Sequence, residues 1–311
     1  MSACVETMFS VRETPWHGLG TIIKHSVNSA EALKLAGLDW NVIQSDIICQ
    51  GTLEKIPGFK VNIRDTDQKI LGVVSDKYKP VQNQEAFAFT DTLLGDGVEY
   101  ETAGSLSNGK RVWMLAKMEG RTVAGEKIDP YLVFTNSHDG TGAIRVAVTP
   151  IRVVCSNTLN LALRTARRQW SCIHIGDIEE KMEEARETLL KADNYMNRLE
   201  EKFGDLKLKK ISDDKVREYI DFLLPIQPGD GAIRKTNIER LREDLSIRYF
   251  DSLDLAYLEK SAYRFVNAVS DFATHREPGR FTPNYRENLF MRTVDGNPMI
   301  DKAYELVEEL V

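Results

Sequence analysis

Residues 100–117, YETAGSLSNGKRVWMLAK, and residues 131–155, YLVFTNSHDGTGAIRVAVTPIRVVC, decide how this chain folds. Each is a pair of runs of alternating polarity around a turn-forming break. In the first, Ser107-Asn108-Gly109 separates the runs at 100–106 and 110–117. Asn-Gly accepts the left-handed backbone that a tight hairpin needs, so two antiparallel strands are expected. In the second, SHDGTG separates 131–136 from 143–155, with Asp and Gly serving the backbone of the turn. Along the second run Ile144, Val146 and Val148 fall on one side of a strand and Arg145, Ala147 and Thr149 on the other. The arginine side is left for water or a ligand. Pro150 has no amide hydrogen, which places an edge or a bulge at that point.

Toward the N-terminus, residues 29–36 (SAEALKLA) read as a short helix capped by Ser29 and stopped by Gly37. Residues 40–49, 59–64 and 69–75 read as strands separated by Pro57-Gly58 and by 65–68, and residues 83–94 as an amphipathic helix. Toward the C-terminus, a helix is expected over 157–170. From residue 177 helical periodicity takes over at 177–202, 213–224, 236–246 and 254–275, with a Pro- and Gly-containing surface loop over 277–297 and a last helix at 301–310. The expected class is α+β. An antiparallel β-meander with packed helices fills residues 1–176, and a mostly α-helical part fills 177–311, with the boundary near Gly176.

Composition sets outer limits. With 42% apolar and 28% charged residues among 311, the chain can bury a full core. No apolar run approaches the length of a membrane helix, and the opening MSACVETMFSVRETPW has neither a basic nor an apolar leader segment, so a soluble, cytoplasmic protein is expected. Cys4, Cys49, Cys155 and Cys172 are widely spaced without a CxxC pair. They are expected to be reduced, mostly buried thiols, with neither a disulfide framework nor a zinc site.

The net charge of -6 argues against nucleic acid in bulk, yet charge is segregated along the chain. Between residues 140 and 176 there is no Asp or Glu, while Arg145, Arg152, Arg164, Arg167 and Arg168 make the segment locally basic. Arg164, Arg167 and Arg168 share one face of the expected helix, and Leu159, Leu163 and Ala166 share another. Three guanidinium groups without a carboxylate at helical spacing call for an anion, either the acidic helix from Asp177 onward or a nucleic-acid backbone. Trp170 follows the cluster, and Tyr78 stands between Lys77 and Lys79. Aromatic rings interleaved with cations suit single strands, where phosphates pair with charge and bases stack.

Catalysis finds less support. His138-Asp139 lies in the hairpin turn, where a backbone role is the simpler one. His17, His25, His174 and His275 share no metal-ligand spacing, and no phosphate loop, GxSxG or dinucleotide fingerprint occurs. No catalytic residue, metal or cofactor is therefore expected.

RETPWHGLG (12–20), ALKLAGLDW (32–40), YKPVQNQEAF (78–87), ETAGSL (101–106) and TNSHDGTGAIRVAVTPIRVVCSNTLNLAL (135–163) together resemble the phage/plasmid-like protein family, domain of unknown function 932. The resemblance implies a mobile-element or phage protein working in a bacterial cytoplasm. A looser, architectural resemblance is to phage single-strand annealing proteins of the eukaryotic recombination-mediator superfamily. These set a hairpin sheet before a helix that lines a DNA groove, and they assemble into rings or filaments. That similarity implies a single-stranded DNA-binding, ATP-independent annealing protein, homo-oligomeric, with Arg145, Arg152, Arg164, Arg167, Arg168, Trp170, Lys77, Tyr78 and Lys79 on the nucleic acid. The alternative is an accessory protein that binds a host protein through its acidic helical half.

Overall fold

The computed structural model of the chain describes residues 5–11, 21–95, 98–123, 125–152, 157–158, 169–189, 192–276 and 297–309. In chain order the elements are β1 (Val5–Val11), β2 (Thr21–Ile23), α1 (Ser29–Leu35), β3 (Val42–Ile48), β4 (Lys55–Arg64), β5 (Ile70–Ser75), α2 (Asn83–Leu94), β6 (Glu99–Leu106), β7 (Arg111–Lys117), β8 (Arg121–Val123), β9 (Glu126–Ser137), β10 (Ile144–Arg152), β11 (Asn157–Thr158) and β12 (Gln169–Cys172). Among the described residues the α-helices that follow are α3 (Ile178–Leu189), α4 (Ala192–Leu208), α5 (Asp213–Leu223), α6 (Ala232–Phe250), α7 (Ala262–His275) and α8 (Pro298–Glu308). The class is α+β, with antiparallel sheets and helices first and a mostly helical region after them.

Among the described residues two sheets form. The larger runs β11-β10-β9-β7-β6-β1-β2, with β12 also paired to β10 and β8 to β9; all its pairings are antiparallel except β1 with β2. The smaller is the antiparallel trio β3-β4-β5. The β6–β7 turn holds Ser107, Asn108 and Gly109 at φ 52, 63 and 83°, the left-handed run that Asn-Gly tolerates at low cost. Pro150 lies opposite Pro130. The carbonyl of Pro130 accepts from the Met118 amide on the β7 side, so neither proline nitrogen is required between β9 and β10. The Pro150 nitrogen instead faces the stretch of β10 between Ala147, where β12 stops, and Ile151, where β11 starts, as an edge proline should.

One face of the large sheet, carrying Phe9, Ala103, Val112, Met114, Leu132, Phe134, Ile144, Val146 and Val148, is covered by helices. The same apolar cluster continues through Ala185, Tyr195, Leu199, Phe203, Phe265, Val269 and Val307, so residues before and after Gly176 share one core. On α7 almost every residue is buried. Its Arg264 donates to the carbonyls of Tyr249 (2.8 Å) and Phe250 (3.3 Å), satisfying the C-terminal end of α6, and to that of Leu258 (2.9 Å) in the connection to α7. Gln82 does the same for β3: its amide pairs with both backbone groups of Val42, at 2.8 and 3.0 Å, and ties the start of α2 to that strand.

Several expectations need correction. The helix expected over 157–170 begins and ends as strand, with Asn157 and Thr158 against Arg152 and Ile151, and Gln169–Cys172 against β10; residues 159–168 lie outside the described residues. The edge of β10 needs hydrogen-bond partners, and the alternation of Trp170 and Cys172 toward the core supplies a strand there. Pro57-Gly58 lies inside β4, at a register shift between Asp46 and Ile48, and does not separate strands. The cap of α1 is Asn28, whose Oδ1 accepts from the Glu31 amide at 3.0 Å, and Ser29 is the first helical residue. The expected helix at 254–275 starts only at Ala262, where Ser261 caps it, and α6 is longer at both ends than 236–246. Cys49 is exposed, contrary to the expected burial, while Cys172 is half-buried; Cys4 and Cys155 lie outside the described residues. No helix among the described residues is long and apolar enough to cross a membrane.

Candidate functional site

The second face of the large sheet carries the candidate site. Cross-strand register places Met8, Gly104, Trp113, Thr135, Arg145 and Ser171 in one row over six strands. Gly104 is required there: a Cβ on it would meet the Trp113 ring at 2.8 Å and the Thr7 carbonyl oxygen at 2.3 Å. Its absence lets the indole lie across the strand. Arg111 is opposite Ser137 in the neighbouring row. Between these rows opens a cavity of about 120 Å³, walled by Leu106, Trp113 and Ala143, lined with the hydroxyls of Thr135, Ser137 and Thr141, and flanked by Arg111 and Arg145.

The SHDGTG turn forms the rim of the cavity. Asp139 accepts from the hydroxyls of Ser137 (2.6 Å) and Thr141 (2.7 Å) and from the Thr141 amide (2.9 Å), and the Ser137 hydroxyl accepts from the Gly142 amide at 3.1 Å. Burial opposes ionisation of Asp139, but these hydrogen bonds and the Arg111 charge outweigh it and hold the carboxyl below its ordinary value. Arg111 itself donates to the Thr141 hydroxyl at 3.5 Å. A fixed carboxylate thus orients the turn, and the turn orients one arginine.

Beneath the turn lies a buried polar joint between the two sheets. His138 is fully buried, its ring edge-on to Trp40 at 5.2 Å and its Nε2 3.1 Å from Asn83 Oδ1. Asn83 Nδ2 donates to the Leu38 carbonyl and Asn62 Nδ2 to the His138 carbonyl, so Asn83 Oδ1 is the acceptor and His138 Nε2 carries the hydrogen. Burial first, and the neighbouring His174 second, push the His138 pKa down to about 3. The ring is a neutral packing element at neutral pH, as the turn reading implies. Gly72 lets the turn come this close, since a Cβ there would lie 2.5 Å from Asp139 Cα.

The structure distributes the nine sequence-selected residues unevenly. Arg145 stands on the cavity. Lys77 and Lys79 are exposed on a segment whose Lys79 backbone bonds to His174, next to β12, so they reach the same end of the sheet as Arg145. Tyr78 does not offer a stacking face. It is buried, stacked on His174 at 4.4 Å, and donates its hydroxyl to the Ser137 carbonyl at 2.5 Å, because the polar joint needs a donor there. Trp170 is half-buried and packs against the helix-covered core, on the face away from Arg145. Arg152 sits seven residues along β10 from Arg145, roughly 23 Å at the rise of a strand. Arg164, Arg167 and Arg168 lie outside the described residues, and so does the face they were expected to share. Ala147 and Thr149, read with Arg145 as a side open to water or ligand, are buried; Ala147 packs with Val133 and Leu115. The residues that sequence reading missed are Arg111, Trp113, Thr135, Ser137 and Thr141. Alternation put Arg111, Trp113, Thr135 and Ser137 on the outer face of their strands and Thr141 lies in the turn, but only the register between hairpins puts them beside Arg145.

Fold and site define an α+β protein whose helix-backed antiparallel sheet presents an arginine-flanked cavity. The family model described as "Domain of unknown function (DUF932)" matches residues 70–306, about three quarters of the chain, and the protein belongs to that family. No curated protein and no solved structure matches it.

Proposed function

We propose that the protein binds single-stranded DNA across the outer face of the large sheet and promotes annealing of complementary strands without ATP. One observation carries the reading: Arg111 and Arg145 flank a single cavity whose wall is the Trp113 indole and whose lining is hydroxyl-rich. Guanidinium groups suit phosphate, and hydroxyls suit phosphate or base edges. Exposed Lys77 and Lys79 extend the cationic surface at that end of the sheet. Annealing requires phosphate repulsion to be neutralised while base edges stay accessible, and no bond is made or broken by the protein.

The test is equilibrium binding of the full chain to a 30-mer of poly-dT, followed by fluorescence anisotropy at several salt concentrations. Replacing both arginines, Arg111→Ala with Arg145→Ala, is expected to weaken binding at least tenfold. It should also make the log-log salt slope shallower by about 1.4, since each single-strand phosphate contact contributes about 0.7. Equal affinity and slope for variant and wild type, with melting temperatures matched, overturn the assignment of this face. Absence of binding by the wild type at low salt overturns the function.

A further inference from the structure

The small sheet carries apolar side chains on both of its faces. An antiparallel sheet with one solvated face ordinarily points apolar side chains inward and polar ones to water. Here the inward side buries Val42, Leu71 and Val74, and beside Gly72 it also carries Gln44, Asn62 and Arg64. They are engaged in polar contacts: Gln44 with Asn62 and the Tyr78 carbonyl, Asn62 with the His138 carbonyl, and Arg64 with Glu6 and Asp67. The outward positions hold Ile43, Ile63 and Ile70 in one cross-strand row, Ser45, Val61 and Val73 in the next, and Phe59 with Ser75 in the third. Of these, Ile70 is 63% exposed, Val73 59%, Phe59 50% and Ile43 41%. None of the eight is charged.

We infer that this outer face of β3-β4-β5 is the contact surface of a two-fold homodimer, in which two copies pack the face sheet against sheet. Three observations select a second copy as the occupant. The face is free of charge, so turning it upon itself creates no like-charge pair and strands no ion. A partner with complementary charge would find nothing to pair with. Its β-branched rows have the chemistry of one half of a β-sandwich core, which a second identical half completes at a spacing of about 10 Å. Its size also fits: large side chains bury ~150–250 Å² each, so these half-exposed ones present on the order of 500 Å² of apolar surface per copy. That is within the roughly 300–600 Å² of the largest apolar patch on a typical monomer, a patch that is often functional. Two such faces bury about 1,000 Å², the lower end for a specific interface. A patch that contacts its own equivalent closes at two copies, whereas a ring or filament needs two different patches. This inference is independent of the DNA-binding reading.

Sedimentation velocity of the full chain between 1 and 100 µM tests it. Wild type is expected to shift from the 35.3 kDa monomer to twice that mass over this range. The double variant Ile70→Lys with Val73→Lys should remain monomeric throughout, with an unchanged circular dichroism spectrum and melt. If the lysines unfold the sheet, Ile70→Thr with Val73→Thr keeps β-branched side chains and should raise the dissociation constant at least tenfold. A wild type that stays monomeric to 100 µM overturns the inference. Association that survives both variants undiminished, which places the contact elsewhere, overturns it as well.

Discussion

His138 shows at the level of one side chain how a histidine beside an aspartate in a hairpin turn serves the structure. Its Nε2 is committed to Asn83 Oδ1, and its Nδ1, buried without a hydrogen-bonding partner, has no acceptor if it gains a proton. An unfolded histidine binds a proton near pH 6.5, while the folded one resists until about pH 3. Between those values the unfolded state holds more protons, so stability is complete above pH 6.5 and falls as the pH drops. His174, lowered by burial, acts in the same direction. Urea unfolding is expected to show about 2 kcal/mol less stability at pH 5 than at pH 7.5, and His138→Gln should be less stable at neutral pH but lose most of that difference. Equal midpoints for the wild type at both pH values would show that the ring is not held neutral. The Arg64 guanidinium, gripped by Asp67 and Glu6, is another fixed charge of this region, and Asp67 is correspondingly pulled down to about 2 by it.

At the scale of elements, capping and turn chemistry decide where strands and helices stop. The end of α6 and its connection to α7 depend on Arg264, whose buried guanidinium serves the carbonyls of Tyr249 and Phe250 and that of Leu258. Arg264→Met fills similar volume but leaves those carbonyls unsatisfied, and is expected to cost about 3 kcal/mol in chemical denaturation. A loss below 0.5 kcal/mol would mean that water replaces the guanidinium. At the β6–β7 turn, Asn108→Val puts a β-branched residue at φ 63° and should cost about 1–2 kcal/mol, read as a lower melting temperature with unchanged DNA affinity at saturating folded fraction. These elements were readable in advance: α2 runs over 83–94 as its periodicity predicts, and both hairpins turn at Asn108-Gly109 and at SHDGTG. The two ends of the stretch over 157–170, Asn157-Thr158 and Gln169-Trp170, were misread because helix and edge strand place similar demands on a short apolar run. The choice was made by the open edge of β10, which no local pattern reports.

For the molecule as a whole, the change of character near Gly176 is a change of secondary structure within one apolar core. α7 packs on β11, α3 on β12 and β10, and α4 on β8. A fragment ending at residue 176 is therefore expected to lack a cooperative thermal transition, because the helix-covered side of its sheet loses its partners. A sharp melt of that fragment would show instead that the first half closes its own core. On α4, Tyr195, Met196, Leu199 and Phe203 enter this same core, so that side of the helix is spent inside the chain. The small sheet's outer rows are not.

Polarity alternation, Asn-Gly and Asp-Gly turns and helical periodicity determined locally which segments became strands or helices, since those preferences act over a few residues of backbone. Alternation also assigned Arg145 to a face of its own strand. Tertiary structure alone decided which faces met: that Trp113 and Thr135 align with Arg145, that Tyr78 is consumed by His174, and that Ile43, Ile63 and Ile70 line up facing outward. The reason is that register and sheet order depend on contacts between residues tens of positions apart, whose free energies appear only when the whole core closes.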